Sequence, residues 1–216
     1  MKLLKERSDI VNYCKQMRRT GLTKGTGGNI SIFNRQSNLI AISPSGVAYE
    51  RMTPIDVVIV DIDGNVIEGI RQPSSEIAMH LMCYTRPNIT SVVHTHSTHC
   101  MVLAALQWEL PAIHYLQALA GGPTVRCAPY ETYGSVGLAQ TAKEAIADRY
   151  ACLLANHGLL TIGHSIEAAF SLATQIEQLA EVYLKAKQAG EPQLLDEAEI
   201  KRLLVKFETY GQKRFY

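Results

Sequence analysis

Apolar residues recur at helical spacing in several stretches of this chain. Ile10, Val11, Cys14 and Met17 fall on one face of a helix predicted over residues 3–19, which ends before Gly21. The same spacing predicts helices over residues 97–107, 135–148 and 165–187, and Asp196 with Glu199 resembles a capping box for a last helix that runs to Tyr210.

One further helix is marked by its first residues. Ser74-Ser75-Glu76 combines two capping hydroxyls with a carboxylate, and Pro87 is expected to end the helix. We expect Ile77, Leu81 and Tyr84 to face the core from this helix.

Short aliphatic runs bounded by turn residues predict strands between the helices. They cover residues 30–33, 39–42, 91–96, 152–156 and 159–162, and a hairpin around Asp63-Gly64 is expected within residues 56–69. A helix followed by antiparallel strands argues against a doubly wound parallel sheet. The sequence has no internal repeat and no linker, so we expect one domain spanning residues 1–216.

Composition and charge narrow the class of protein. The chain has 216 residues, 47% of them hydrophobic and 19% charged, with a net charge of +1. This balance gives no reason to expect nucleic acid or a membrane as a partner. The five cysteines lack CxxC spacing and lie among apolar residues, which favours reduced thiols in a cytoplasmic protein.

The first candidate site is the pair His94 and His96 at the end of a predicted strand. Residues two apart on a strand share one face, so both imidazoles can reach one metal ion. Glu76 and His157 also stand at element boundaries and are candidates for further ligands. The alternative is a half-buried, hydrogen-bonded histidine pair without a metal.

Two turns and one helix start offer hydrogen-bond donors to an anion. The turns are Gly25-Thr26-Gly27-Gly28-Asn29 and Ser43-Pro44-Ser45-Gly46, and the helix start carries Ser74 and Ser75. Plain tight turns and simple N-capping are the alternatives. A metal, a neutral phosphate cradle and one carboxylate together suit carbanion chemistry beside a carbonyl. Hydrolysis would leave the phosphate cradle without a purpose.

The ordered motifs resemble the class II aldolase/adducin family. They are Gly25-Thr26-Gly27-Gly28-Asn29, Ser43-Pro44-Ser45-Gly46, Pro73-Ser74-Ser75-Glu76, His94-Thr95-His96 and Asn156-His157-Gly158-Leu159. Ala112-Ile113-His114-Tyr115, Cys127-Ala128-Pro129-Tyr130 and the ending from Lys206 to Gly211 add to the similarity. The resemblance implies an α/β fold, a single three-layer α/β/α domain around a mostly antiparallel sheet. It also implies a cyclic homotetramer with active sites between subunits.

The resemblance also implies the activity: reversible cleavage of a sugar phosphate, with L-fuculose 1-phosphate expected as substrate and dihydroxyacetone phosphate and L-lactaldehyde as products. By this resemblance one zinc ion per chain is held by His94, His96, His157 and a displaceable Glu76, which becomes the acid/base. The implied phosphate-binding residues are Gly28, Asn29, Ser45, Gly46, Ser74 and Ser75. Tyr115 is implied as the proton donor to the aldehyde oxygen in a neighbouring subunit's site.

Two departures from the family pattern stand out, at the Asn34–Asn38 turn, which is slightly long, and at Tyr133, where a phenylalanine is expected. Tyr133 bears on how the far end of the aldehyde fits. A sibling epimerase, decarboxylase or dehydratase and a non-catalytic adducin-like module remain as alternatives. The epimerase is disfavoured because the segment after Tyr115 lacks a His-Ala-Asp pattern.

Overall fold

The computed structural model describes residues 1–208 of the chain. Its strands are β1 Asn29–Asn34, β2 Leu39–Ile42, β3 Val58–Val60, β4 Val66–Glu68, β5 Ser91–Thr95, β6 Leu110–Pro111, β7 Thr124–Val125, β8 Cys127–Ala128, β9 Ala151–Leu154 and β10 Gly158–Gly163. Its α-helices are α1 Leu4–Arg19, α2 Ile77–Cys83, α3 Thr98–Leu106, α4 Val136–Ile146, α5 Ile166–Ala189 and α6 Glu197–Glu208. The end of the last predicted helix, at Tyr210, lies outside the described residues.

Eight strands form one mixed sheet in the order β4-β3-β2-β1-β5-β10-β9-β8. Every neighbouring pair is antiparallel except β8 and β9, which run parallel. The expectation of an α/β fold around a mostly antiparallel sheet is therefore confirmed. The strand that carries the histidine pair, β5, lies in the middle of this sheet between β1 and β10.

Both faces of the sheet are buried, and successive residues of a strand serve opposite faces. Val93 and Leu159 face the core that holds α1, α3 and α5, whereas Val92 and Leu160 face the core that holds α2 and α4. Burial on both faces explains why the central strands read as continuous apolar runs. His94 is two residues from Val92 on β5, so its side chain lies on the same face of the sheet, the one that packs against α2.

The inward face of α2 contains the expected residues and two more. Tyr84, just past its end, is buried as predicted, and Ile77 and Leu81 are half-buried against the same core. Met79 and His80 are also buried on this face, while Ile77 and Leu81 lie at its edge, near Gly64 of the β3–β4 turn. Among the described residues, no helix is long and apolar enough to cross a membrane.

Candidate metal centre

Three histidines meet where the sheet ends beside α2. His94 lies in β5, and His96 follows the strand, so the two rings leave the backbone on the same side. His157 comes from the turn between β9 and β10, which reverses through Asn156 in the left-handed conformation at φ 53°. The structure brings these three predicted residues together: one metal-ligating atom from each histidine lies within 4.8 Å of those of the others.

The distances between the ring nitrogens fit a single ion. His94 Nε2 is 3.0 Å from His96 Nε2 and 3.2 Å from His157 Nε2. Tetrahedral zinc with Zn–N bonds of about 2.0–2.1 Å would place its ligand nitrogens about 3.3 Å apart. His94 Nδ1 donates to the carbonyl of Leu159 at 2.9 Å, which leaves the Nε2 lone pair free for a metal.

Glu76 completes the cluster from the residue before α2. Its Oε2 lies 3.3 Å from His94 Nε2 and its Oε1 lies 3.4 Å from His157 Nε2. The residue is only 6% exposed, and within residues 1–208 Oε1 has no hydrogen-bond partner. A buried oxygen without a partner is costly, and a cation among these four side chains would satisfy it. The donor set therefore fits a metal ion.

Burial keeps the histidines in the form that binds metals. Desolvation, together with the neighbouring His96 and His157 rings, lowers the pKa of His94 well below its usual value. Desolvation and His157 lower the pKa of His96 to about 4. Both imidazoles are thus neutral at neutral pH and can offer a lone pair to a cation.

The glycine-rich turn packs directly against the histidines. A Cβ on Gly27 would stand 2.6 Å from His96 Nδ1, and one on Gly28, whose φ is +74°, would stand 2.6 Å from the His94 carbonyl oxygen. The Tyr49 hydroxyl donates to the carbonyl of Gly28 at 2.6 Å and so holds the turn in place. These glycines are needed because the backbone passes too close to the histidine pair for a side chain.

The polar turn at residues 43–46, directly after β2, and the helix start beside Glu76 lie next to each other. Ser45 N donates to the Gln72 carbonyl at 3.1 Å, and Ser74 N donates to the Ser43 carbonyl at 3.1 Å. Ser74 is buried, and its Oγ accepts from Glu76 N at 3.3 Å, which is a local capping contact. Ser75 is exposed. The sequence-predicted phosphate residues Ser45, Ser74 and Ser75 thus come from two adjoining segments, with exposed Gly46 following in the first of them.

Asn29 has a further set of contacts. Its Nδ2 donates to Glu76 Oε2 at 2.9 Å, and its Oδ1 lies 2.5 Å from Nε2 of the fully buried His80. The sequence analysis placed Asn29 only with the phosphate and did not single out His80. The available signal was the spacing of His80, one helical turn after Glu76.

Tyr115 and Tyr133 lie on the surface, 50% and 69% exposed. The Tyr115 ring contacts His114 and stacks with Phe207 of α6, and neither residue belongs to the histidine cluster. Tyr115 opens a 3-10 helix, Tyr115–Ala120, that the sequence analysis did not predict.

Comparison with known proteins agrees with this geometry. The family described as Class II Aldolase and Adducin N-terminal domain matches residues 8–184. A 5-deoxy-D-ribulose 1-phosphate aldolase of Bacillus thuringiensis is 56% identical over 99% of this chain and 100% of its own length. The L-fuculose phosphate aldolase of Escherichia coli K12 is 40% identical, with 94% of each chain covered.

Solved structures show the same relationship. An L-fuculose 1-phosphate aldolase superposes with a TM-score of 0.92 at 44% identity, covering 94% of this chain and 96% of its own. With aldolases at this identity over the full length, a non-catalytic adducin-like module is disfavoured. The chain belongs to the class II aldolase and adducin family and is a metal-dependent aldolase, a carbon–carbon lyase.

Proposed function

We propose that this chain uses zinc to cleave a ketose 1-phosphate reversibly into dihydroxyacetone phosphate and an aldehyde. The observation that carries this proposal is the convergence of His94, His96, His157 and Glu76 next to a helix start rich in hydrogen-bond donors. Three imidazoles and a carboxylate favour zinc by ligand type. A bound zinc ion supplies Lewis-acid polarisation of the substrate carbonyl.

The protein's own groups transfer the proton and bind the phosphate. Glu76 moves the proton at the carbon beside the carbonyl, because it is the carboxylate of the cluster and is 6% exposed. The Ser45, Ser74 and Ser75 hydroxyls, with the backbone N–H groups of Gly28 and Gly46, hold the phosphate; the Ser74 N–H already donates to Ser43. Asn29 holds Glu76 and can offer its second amide hydrogen to the phosphate.

The similarity to named enzymes ranks the substrates. The 56% identical relative is named for 5-deoxy-D-ribulose 1-phosphate, and relatives near 40% identity are named for L-fuculose phosphate. We place the five-carbon deoxy sugar first, which would release acetaldehyde. L-Fuculose 1-phosphate, expected from the sequence, is the second candidate and would release L-lactaldehyde. Epimerase, decarboxylase and dehydratase activities rank lower because the similar curated proteins are aldolases.

A substrate panel tests this ranking. Purified protein loaded with zinc is assayed with 5-deoxy-D-ribulose 1-phosphate, 5-methylthioribulose 1-phosphate and L-fuculose 1-phosphate, and dihydroxyacetone phosphate is measured. We expect the largest kcat/KM for the first. Release of no dihydroxyacetone phosphate from any of them would contradict the proposed aldol cleavage.

Ser75→Ala should weaken binding of the phosphorylated substrate. Losing one donor to a phosphate costs about 1–3 kcal/mol of binding, so KM should rise while kcat changes little. Steady-state kinetics measure both constants. Ser8→Ala is the matched control, since Ser8 lies on α1 and its hydroxyl donates to the Leu4 carbonyl of the same helix. An unchanged affinity for dihydroxyacetone phosphate in Ser75→Ala would place the phosphate elsewhere.

We also propose the assembly and location that the family resemblance implies. The chain acts as one domain in a cyclic homotetramer, in the cytoplasm, where its five free cysteines stay reduced. The position of Tyr115 supports active sites shared between subunits. Its ring is half-exposed and contacts His114 and Phe207, which lie outside the histidine cluster of its own chain. In this proposal Tyr115 reaches the site of a neighbouring subunit and donates a proton to the aldehyde oxygen.

Mixed tetramers test the shared site. Tyr115→Phe and Glu76→Gln should each lower kcat by about 10²-fold or more, the range of a general acid or base. If every site combines Glu76 of one subunit with Tyr115 of the next, co-expressing the two variants in equal amounts should restore about a quarter of wild-type activity. Absence of any gain over the separate variants, in tetramers shown to contain both chains, would place Tyr115 in the site of its own subunit.

A further inference from the structure

A line of buried polar side chains runs between β1 and α2 and ends at Glu76. Tyr84 Oη lies 2.6 Å from Ser31 Oγ, which lies 2.6 Å from His80 Nδ1. On the other side of the imidazole, His80 Nε2 lies 2.5 Å from Asn29 Oδ1, and Asn29 Nδ2 lies 2.9 Å from Glu76 Oε2. Ser31 and His80 are completely buried, and the other three are at most 7% exposed.

The carboxylate fixes the direction of every hydrogen bond in this line. An ionised Glu76 can only accept, so Asn29 must present its NH2 group to Oε2 and its carbonyl oxygen to His80. An amide oxygen also only accepts, and therefore His80 must carry its proton on Nε2. Nδ1 is then the acceptor for the Ser31 hydroxyl, which in turn accepts from Tyr84.

The surroundings of His80 support a neutral ring with one donor and one acceptor. Desolvation lowers the pKa of His80 to about 3, so the imidazole is uncharged at neutral pH. Its side chain is fully buried, and its helix neighbours Met79 and Cys83 belong to an apolar core that also contains Ile42. An apolar residue of similar size would pack there without the need for four aligned polar partners, so packing alone does not account for this histidine.

We propose that His80 is a positioning residue that fixes the amide of Asn29 and thereby orients Glu76, leaving Oε1 as the oxygen that takes the proton. Oε2 is occupied by the Asn29 donor, whereas Oε1 has no hydrogen-bond partner among the described residues. Without His80 the Asn29 amide can rotate and turn its oxygen toward the carboxylate. The role as base rests on the proposed function, but the direction of the hydrogen bonds does not.

The tautomer of His80 is the direct test. Long-range nitrogen–proton NMR correlation on the ¹⁵N-histidine-labelled full-length protein, with and without zinc, reports which ring nitrogen carries the proton. The signals are assigned by the loss of one set in His80→Gln. We expect a neutral ring protonated on Nε2 in both samples. A proton on Nδ1 would overturn the proposal whether or not the protein is an aldolase.

Matched variants test the effect on Glu76. His80→Phe keeps a ring but removes the donor, whereas His80→Gln keeps an N–H near the position of Nε2. We expect kcat of His80→Phe to fall about 10–100-fold, with the zinc dissociation constant about tenfold higher and KM changed less. His80→Gln should recover most of both losses. Equal losses in the two variants would mean that His80 serves packing only.

Two neighbouring variants keep the test decisive if His80→Phe does not fold. Ser31→Ala leaves the buried Nδ1 without a donor and should lower kcat about 3–10-fold, because the ring is then held less firmly against Asn29. Tyr84→Phe removes only the far end of the line and should change kcat less than Ser31→Ala. Wild-type kcat and zinc affinity in a folded Ser31→Ala protein would contradict the proposal.

Discussion

Glu76→Gln should retain zinc and lose a factor of about 10²–10⁴ in kcat, the range of a general acid–base group. Glutamine keeps the shape of the side chain and an oxygen for the cluster, but it cannot accept a proton. His94, His96 and His157 stay in place, since their positions depend on β5 and on the β9–β10 turn rather than on Glu76. Zinc content and kcat measured on the same sample separate the two effects.

Proton exchange isolates the step that Glu76 performs. With dihydroxyacetone phosphate alone in deuterated solvent, the wild-type protein should exchange the proton beside the carbonyl, and Glu76→Gln should not. Glu144→Gln is the control, because Glu144 is an exposed carboxylate on α4 that accepts a hydrogen bond from Gln140 on the same helix. Normal exchange in zinc-loaded Glu76→Gln would show that another group is the base.

His96→Ala should lose zinc and reduce turnover by about 10³-fold or more. Metal polarisation of a carbonyl contributes several kcal/mol, and each 1.36 kcal/mol is a factor of ten in rate. His96 is the best position for this test because its ring is partly exposed, so its removal leaves no closed cavity in the core. Zinc per chain and kcat are the two quantities to measure.

The control for this variant is His164→Ala. His164 is exposed and lies outside the cluster, so the variant should keep about one zinc per chain and wild-type turnover. Retention of zinc at wild-type affinity in His96→Ala would contradict the assignment of the ligands.

The histidine pair of the candidate metal centre could be predicted because its geometry follows from a local rule. Two histidines separated by one residue on a strand must share a face, which predicted the pair His94 and His96. His157 and Glu76 could only be proposed as candidates. Their positions beside turns in the sequence do not reveal which other segments lie next to those turns in the fold. The pairing of β5 with β10 brings His157 to the pair, and the contacts of Ser74 with Ser43 and of Glu76 with Asn29 bring Glu76 there. Such long-range contacts are not visible in a periodic pattern.

His80 could not have been found by the same reasoning. It lies between Met79 and Leu81, where a single polar residue in a helix usually faces solvent. Its burial depends on how α2 packs against the sheet, which turns Met79 and His80 inward and leaves Ile77 and Leu81 at the edge of the core. The substrate was equally out of reach, because in our proposal its aldehyde end is bound by exposed residues such as Tyr133 and by a second subunit.

The most direct test of the account is a zinc titration of the chelator-treated protein, with release of dihydroxyacetone phosphate from 5-deoxy-D-ribulose 1-phosphate as the readout. The four side chains around His94 Nε2 form one site, so activity should be absent without metal. It should rise linearly and saturate at about one zinc per chain. Full turnover in protein shown to be free of metal would contradict the central claim.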